Sequence, residues 1–175
     1  PNMQRIADAG MTFMRAFVAS PSCAPSRAAM LTGLMPARNG AEANHTFKRD
    51  DVASLPDVLR SMGYETAAFG KVAHGKKDAV RHGFDHIDEK NDAAVVDKFL
   101  SERNAAKPLA LFVGTHWPHV PWPENDGFDP AKLTLPPKAV DTPETRVQRA
   151  RYLSAVARAD DDIGSIWDLA HSAGA

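Results

Sequence analysis

Cysteine is almost missing from this chain: Cys23 is the single one in 175 residues. No internal disulfide can form, and the redox compartment cannot be read from pairing. An excess of one charge is missing too, since 21 Lys+Arg against 22 Asp+Glu leave a net charge of −1. No basic cluster is longer than a pair such as Lys76-Lys77, which argues against binding nucleic acid through its phosphates, a task that needs a basic face. Anionic small substrates stay open. Long apolar runs are missing as well: Leu109 to Gly114 is the longest, far short of the ~20 residues that span a bilayer. No charged-then-apolar leader precedes a small-residue cleavage site, so neither a membrane span nor a precursor is expected. What remains, 43% hydrophobic and 25% charged residues, is the composition of an ordinary globular chain. At this length roughly 70% of the unfolded surface can be buried, enough for one core without disulfides or metals as staples.

The punctuation is that of an α/β chain without repeats. Asn2 to Ala9 predicts a helix stopped by Gly10, followed by a strand over Met11 to Val18. Ser20 to Pro25 is expected as a loop feeding a short helix over Pro25 to Leu31, with Pro in its first turn and Gly33 just past its end. Ser54 and Asp57 form a capping-box pattern for a helix whose apolar face would be Leu55, Val58, Leu59 and Met62. Tyr64 to Gly70 predicts a strand leading into Lys71. Ala93 to Arg103 predicts a helix with Val95, Val96, Phe99 and Leu100 inward, and Leu109 to Thr115 a strand buried on both faces. Prolines at 118, 121, 123, 130, 136, 137 and 143 leave no room for regular structure between Pro118 and Pro143. A long helix is then expected from Thr142-Pro143-Glu144 to about Leu169, with Val147, Leu153, Val156, Ile163 and Ile166 near helical spacing.

Alternating strands and helices imply parallel pairing through right-handed crossovers. In such sheets, sites gather beyond the carboxyl ends of the strands, here the Cys23 loop, Lys71 and the segment His116-Trp117-Pro118-His119. Cys23, just ahead of a helix, would feel backbone N–H groups and the positive end of the dipole, which favour an anion or a thiolate. Spacing alone leaves two readings open: a nucleophilic Cys paired with one of the seven His residues, or a buried free thiol. Asp160-Asp161-Asp162 has the look of a metal box. Its place inside a helix rich in Arg and Ala points instead to a solvated face and polar contacts between helices.

The run Ser22-Cys23-Ala24-Pro25-Ser26-Arg27, followed by Leu31-Thr32-Gly33, resembles the Cys-x-Pro-Ser-Arg…Leu-Thr-Gly signature of the type I sulfatases, members of the alkaline-phosphatase superfamily. The resemblance runs along the whole chain. Pro1-Asn2-Met3 to Phe13 resembles the family's Pro-Asn-Leu helix and following strand, Gly70-Lys71-Val72-Ala73-His74 its Gly-Lys-x-x-His element, and Pro118-His119-Val120-Pro121 its Pro-His-x-Pro turn. Tyr152 to Gly164 resembles the helix that crosses beneath the sheet. The Lys-x-x-His spacing and the Asn44-His45 region are nearer to iduronate sulfatase and sulfamidase relatives than to plain arylsulfatases.

That resemblance implies an alkaline-phosphatase-like, mostly parallel sheet flanked by helices. It also implies hydrolysis of sulfate esters or N-sulfates through a formylglycine made from Cys23 by a formylglycine-generating enzyme. The hydrated aldehyde would attack sulfur in line, and its second hydroxyl would collapse to expel sulfate. Arg27 would hold the formylglycine oxygens. Lys71 and His119 would clamp sulfate oxygens, and His74 would hydrogen-bond the second hydroxyl and take its proton. Asn44 and His45 would line a subsite for a sulfated small molecule or saccharide.

The family's divalent cation, usually Ca2+ and otherwise Mg2+, would be touched here by residue 23 as formylglycine. The carboxylate pairs that complete such a site are not in the sequence. The expectation is therefore a partial catalytic domain over residues 1–175, lacking its N-terminal strand and C-terminal half and inactive alone, from a protein of periplasmic, secreted or lysosomal-like location. Hydrolysis of phosphonate or phosphate esters, anion binding without catalysis, and unmodified thiol chemistry are the competing readings.

Overall fold

The computed structural model describes residues 1–172. In chain order the elements are α1 (Asn2–Ala9), α2 (Cys23–Thr32), α3 (Pro36–Asn39), α4 (Leu55–Ser61), β1 (Glu65–Gly70), α5 (Lys76–Arg81), β2 (His86–Asp88), α6 (Ala93–Glu102), β3 (Leu109–Gly114), a 3-10 turn at Pro130–Lys132 and α7 (Pro143–Ser172). The sheet is parallel with order β2-β1-β3, and Gly70 pairs with Gly114 at the carboxyl ends of β1 and β3. Parallel neighbours need crossovers, which α5 and α6 help to supply.

Local chemistry explains where the helices begin and end. Ser22, extended at φ −131°, precedes α2, and Gly33, at φ +67°, lets the chain leave it. Ser54 and Asp57 form the expected capping box, with the Ser54 N–H donating to the Asp57 carboxylate at 2.9 Å. Asp92 caps α6 by accepting from the Val95 N–H at 3.2 Å.

Alternation along β1 sends side chains to two cores. Ala68 joins Leu31 of α2 with Val72, Ala73, Ala79 and Phe84 on one face. Ala67 and Phe69 meet Val96 of α6 on the other, with Val95, Phe99, Leu100 and Ile166 packed against them. The inward set expected for α6 is therefore observed. Among the described residues no helix is long and apolar enough to cross a membrane.

Four expectations about local structure are corrected. Met11 to Val18 forms no strand: it lacks a hydrogen-bonding neighbour in the sheet and lies on the surface, with Met14 87% and Phe17 91% exposed. The strand buried on both faces is β1, not β3. An edge position leaves every residue of β3 only half-buried, whereas β1 lies between two neighbours. Helix α4 docks through Pro56 and leaves Leu55, Val58 and Met62 exposed. On α7 the buried stripe consists of small residues, Ala150, Ser154, Ala155, Ala159 and Gly164, rather than the larger apolar ones. The stripe permits close approach: a methyl group on Gly164 would lie 2.3 Å from Asn2 Cγ.

Of the acidic triplet, Asp160 takes the Asn2 and Met3 N–H groups at 2.8 Å each, anchoring α1 to α7. Asp162 accepts from Thr115 Oγ1 at 2.6 Å and from Asn91 Nδ2 at 3.3 Å. The triplet thus makes polar contacts between elements, as its helical setting implied. Helices α3 and α5 and the three-residue β2 have patterns too short to register in the sequence.

Candidate active site

Each strand of the sheet delivers one polar residue to a common pocket at its carboxyl end. Lys71 follows β1, Glu89 follows β2 and His116 lies just past β3, and with Gly70, His74 and Gly75 they line a pocket of about 240 Å3. Gly70 makes the turn possible. Its φ of +68° is left-handed, and a Cβ there would sit 2.3 Å from the Gly114 carbonyl oxygen. Lys71 then donates its N–H to that same oxygen at 2.8 Å, which fixes the start of the loop.

Cys23 is the first helical residue of α2 and half-buried. Arg27, one turn on, donates from Nη1 to the Lys71 carbonyl and, at 3.1 Å, to the Val72 carbonyl. The signature helix is thereby tied to the Gly-Lys-x-x-His loop. Burial pushes the Arg27 guanidinium down from its ordinary range, and the nearby Cys23 opposes that shift.

His74 is held from two sides. Its backbone N–H donates to Asp78 Oδ2 at 2.9 Å, and its ring Nε2 lies 2.8 Å from His45 Nδ1. Asn44 Oδ1 accepts from the Ala24 N–H at 3.2 Å, so the Asn44-His45 segment bridges the Cys23 helix to His74. Burial first, then the neighbouring His45 and Lys71, push His74 below the ordinary histidine range. His74 Nδ1 is shut off from solvent and unpartnered among the described residues.

The structure brings together Cys23 with Arg27, Arg27 with the Lys71 loop, and Asn44 and His45 with His74. His119 lies apart from this pocket. It is exposed, and its Nδ1 donates to the Val120 carbonyl at 2.6 Å, leaving Nε2 as its outward nitrogen. Sequence reasoning missed Glu89, because β2, which positions it, went unrecognised. It also missed a buried chain behind the loop: Ser54 Oγ is 2.7 Å from His82 Nδ1, and His82 Nε2 is 3.6 Å from Asp78 Oδ1. The only available signal was the Asp78/His82 spacing of four. All three are buried, so this Ser-His-Asp set is closed to substrate, and at 3.6 Å His82 and Asp78 make no hydrogen bond with each other.

A family model described as Sulfatase matches residues 1–175. The chain belongs to the sulfatase family. An ulvan-active sulfatase of Formosa agariphila is 34% identical over 127 residues, which cover 68% of the chain and 25% of that protein. Human N-sulphoglucosamine sulphohydrolase is 26% identical over 215 residues, covering 99% of the chain and 43% of that protein. The sulfatase chain thus spans less than half the length of either relative. A Bacteroides thetaiotaomicron structure from work on the metabolism of multiple glycosaminoglycans superposes with a TM-score of 0.81 at 19% identity, over 99% of the chain and 51% of that structure. The parallel sheet with its flanking helices has the expected alkaline-phosphatase-like sulfatase fold.

The cation implied by that family finds no seat built by these residues alone. Among the described residues no group of three His, Cys, Asp or Glu side chains converges to hold a metal ion. Asp160 and Asp162 are spent on the N–H groups of α1 and on Thr115 and Asn91. Arg27, tied to the Lys71 and Val72 carbonyls, and Lys71 bring two positive charges to the Cys23 end of the sheet, with Glu89 on the same pocket wall as Lys71.

Proposed function

We propose that the sulfatase chain carries the nucleophile and anion-clamping part of an active site that hydrolyses sulfate esters or N-sulfates of saccharides. The observation that carries this is the tie of Arg27 to the Lys71 and Val72 carbonyls, which sets the Cys23 helix against the Lys71–His74 loop. The names of the relatives, one an N-sulphoglucosamine sulphohydrolase and one an ulvan-active sulfatase, support a sulfated saccharide as the substrate class.

Cys23 at the start of α2 has the backbone N–H groups and partial positive charge that hold an anionic or hydroxylated group. Converted to formylglycine by a maturation enzyme and hydrated by addition of water to the aldehyde, it would supply a hydroxyl for attack on sulfur. Arg27 orients the residue-23 oxygens with its fork of donors. Lys71 in the pocket, and His119 through its outward Nε2 from the turn that starts at His116, would bind the sulfate oxygens as charge grows on them, and His74 would act on the group at position 23 through Nδ1. Because the described residues build no metal seat, no step is assigned to a cation.

The test is production of the enzyme with a formylglycine-generating partner, followed by mass analysis of the Cys23 peptide and assay on an aryl sulfate and a sulfated sugar. An aldehyde at position 23 and loss of turnover in Cys23→Ala are expected. Full activity in Cys23→Ala, or an alkylatable thiol in the active enzyme, would overturn the proposal.

A further inference from the structure

The hydrogen bonds around His74 decide which of its nitrogens carries the proton. An N–H can only donate, so the Ala24 N–H fixes Asn44 with its Oδ1 toward α2. Asn44 Nδ2, the other end of the amide, then lies 3.4 Å from His45 Nε2. An amide nitrogen only donates, so His45 Nε2 accepts, and the proton of the neutral ring sits on Nδ1. That Nδ1 is 2.8 Å from His74 Nε2 and must donate to it. His74 Nε2 is thus an acceptor and its proton resides on Nδ1, the nitrogen that is shut off from solvent and unpartnered among the described residues.

The backbone holds this order in place. His45 sits at φ +65°, a left-handed conformation that non-glycine residues seldom adopt, and its ring meets His74 edge-on with centroids 4.6 Å apart at 72°. A turn that bends residue 45 this way, next to an amide anchored on the helix of Cys23, is suited to relaying one polarity from that helix to His74.

We infer that Asn44 and His45 are positioning residues that hold His74 as the Nδ1–H tautomer, with its Nε2 occupied by the His45 N–H. The role in turnover rests on the sulfatase reading above; the proton position does not. Burial and the neighbouring Lys71 and His45 favour the neutral ring that this tautomer requires.

The experiment is imidazole nitrogen NMR on the uniformly 15N-labelled full chain at alkaline pH, with His74 assigned by its absence in His74→Gln. Wild type should show Nδ1 protonated and Nε2 bare. His45→Asn, whose amide can still donate and which tolerates the left-handed backbone, should keep that pattern. His45→Asp, of the same size but able only to accept, should move the His74 proton to Nε2. Protonation at Nε2 in wild type, or a His74 proton that stays on Nδ1 in a folded His45→Asp, would overturn the inference. Should His45→Asp fail to fold, the wild-type spectrum alone decides. In the matured enzyme kcat should fall about 10²-fold further in His45→Asp than in His45→Asn, with KM similar in the two. Tautomers that behave as stated in an enzyme without turnover on any sulfate would sink the sulfatase reading and leave the relay standing.

Discussion

Gly70 and Gly114, register partners at the carboxyl ends of β1 and β3, approach so closely that neither tolerates a side chain. A Cβ on Gly70 would lie 2.3 Å from the Gly114 carbonyl oxygen, and one on Gly114 would lie 2.4 Å from the Lys71 carbonyl oxygen. The same Lys71 carbonyl accepts from Arg27. The glycine pair therefore lets the Lys71 loop fold over the strand ends and meet the helix of Cys23.

Gly70→Ala should destabilise the chain by about 3 kcal/mol, combining the left-handed φ with a backbone clash. Gly33→Ala is the comparison, since Gly33 has φ +67° but open space around its Cβ position. It should cost only the conformational part, about 1 kcal/mol. Urea unfolding midpoints of the two variants give the difference, and equal losses would show that the close approach is relieved by a small backbone shift.

Lys71→Ala and His119→Ala should each lower kcat of the matured enzyme by about 10²-fold, the size expected for a donor that acts on charge developing in the transition state. His116 lines the pocket wall and is exposed, so His116→Ala should act more mildly and mainly on KM. Steady-state kinetics on an aryl sulfate separate the cases. A pure rise in KM for Lys71→Ala would reduce its role to uniform binding.

Stability should fall with acidity through His82. Its ring is fully buried, and burial, with Lys48 nearby, holds its pKa below the ordinary value of 6.5, against the opposing pull of Asp78 and Asp57. The unfolded chain, titrating near 6.5, binds the proton more readily than the folded one. The contribution of His82 is therefore fully present above about pH 6.5 and is lost as pH drops below it. Melting temperatures measured from pH 7.5 down to 5 should decline more steeply in wild type than in His82→Gln; parallel slopes would remove His82 from the account.

Asp160→Ala should release α1 from α7, because the Asn2 and Met3 N–H groups lose their acceptor. These two N–H groups hold the Asp160 carboxyl below the ordinary range of 3.8, so the anchor is present above that pH and weakens as the carboxyl protonates. Hydrogen exchange should accelerate over Asn2–Ala9 in the variant while β1 stays protected. Unchanged exchange in α1 would show that apolar contacts alone secure it.

Much of this protein was determined by the sequence by itself, wherever local rules decide. The capping box of Ser54 and Asp57, the stops at Gly10 and Gly33, and the proline-laden stretch after Pro118 all act within a few residues, so these boundaries are legible from neighbours alone, whereas the helix of Cys23 starts at Cys23 itself and not at Pro25 as its proline suggested. The Cys23-to-Arg27 run likewise marks the family because its spacing lies within one helical turn. Tertiary structure decided what depends on distant partners. Met11 to Val18 has strand composition but lacks a pairing neighbour, and β3 has a buried strand's composition but an edge position. The three-residue β2 exists only because β1 lies beside it. The polarity of the site is decided in the same way: Ala24, Asn44, His45 and His74 are scattered over fifty residues of chain, and only folding brings each donor to its acceptor and so selects where the proton of His74 resides.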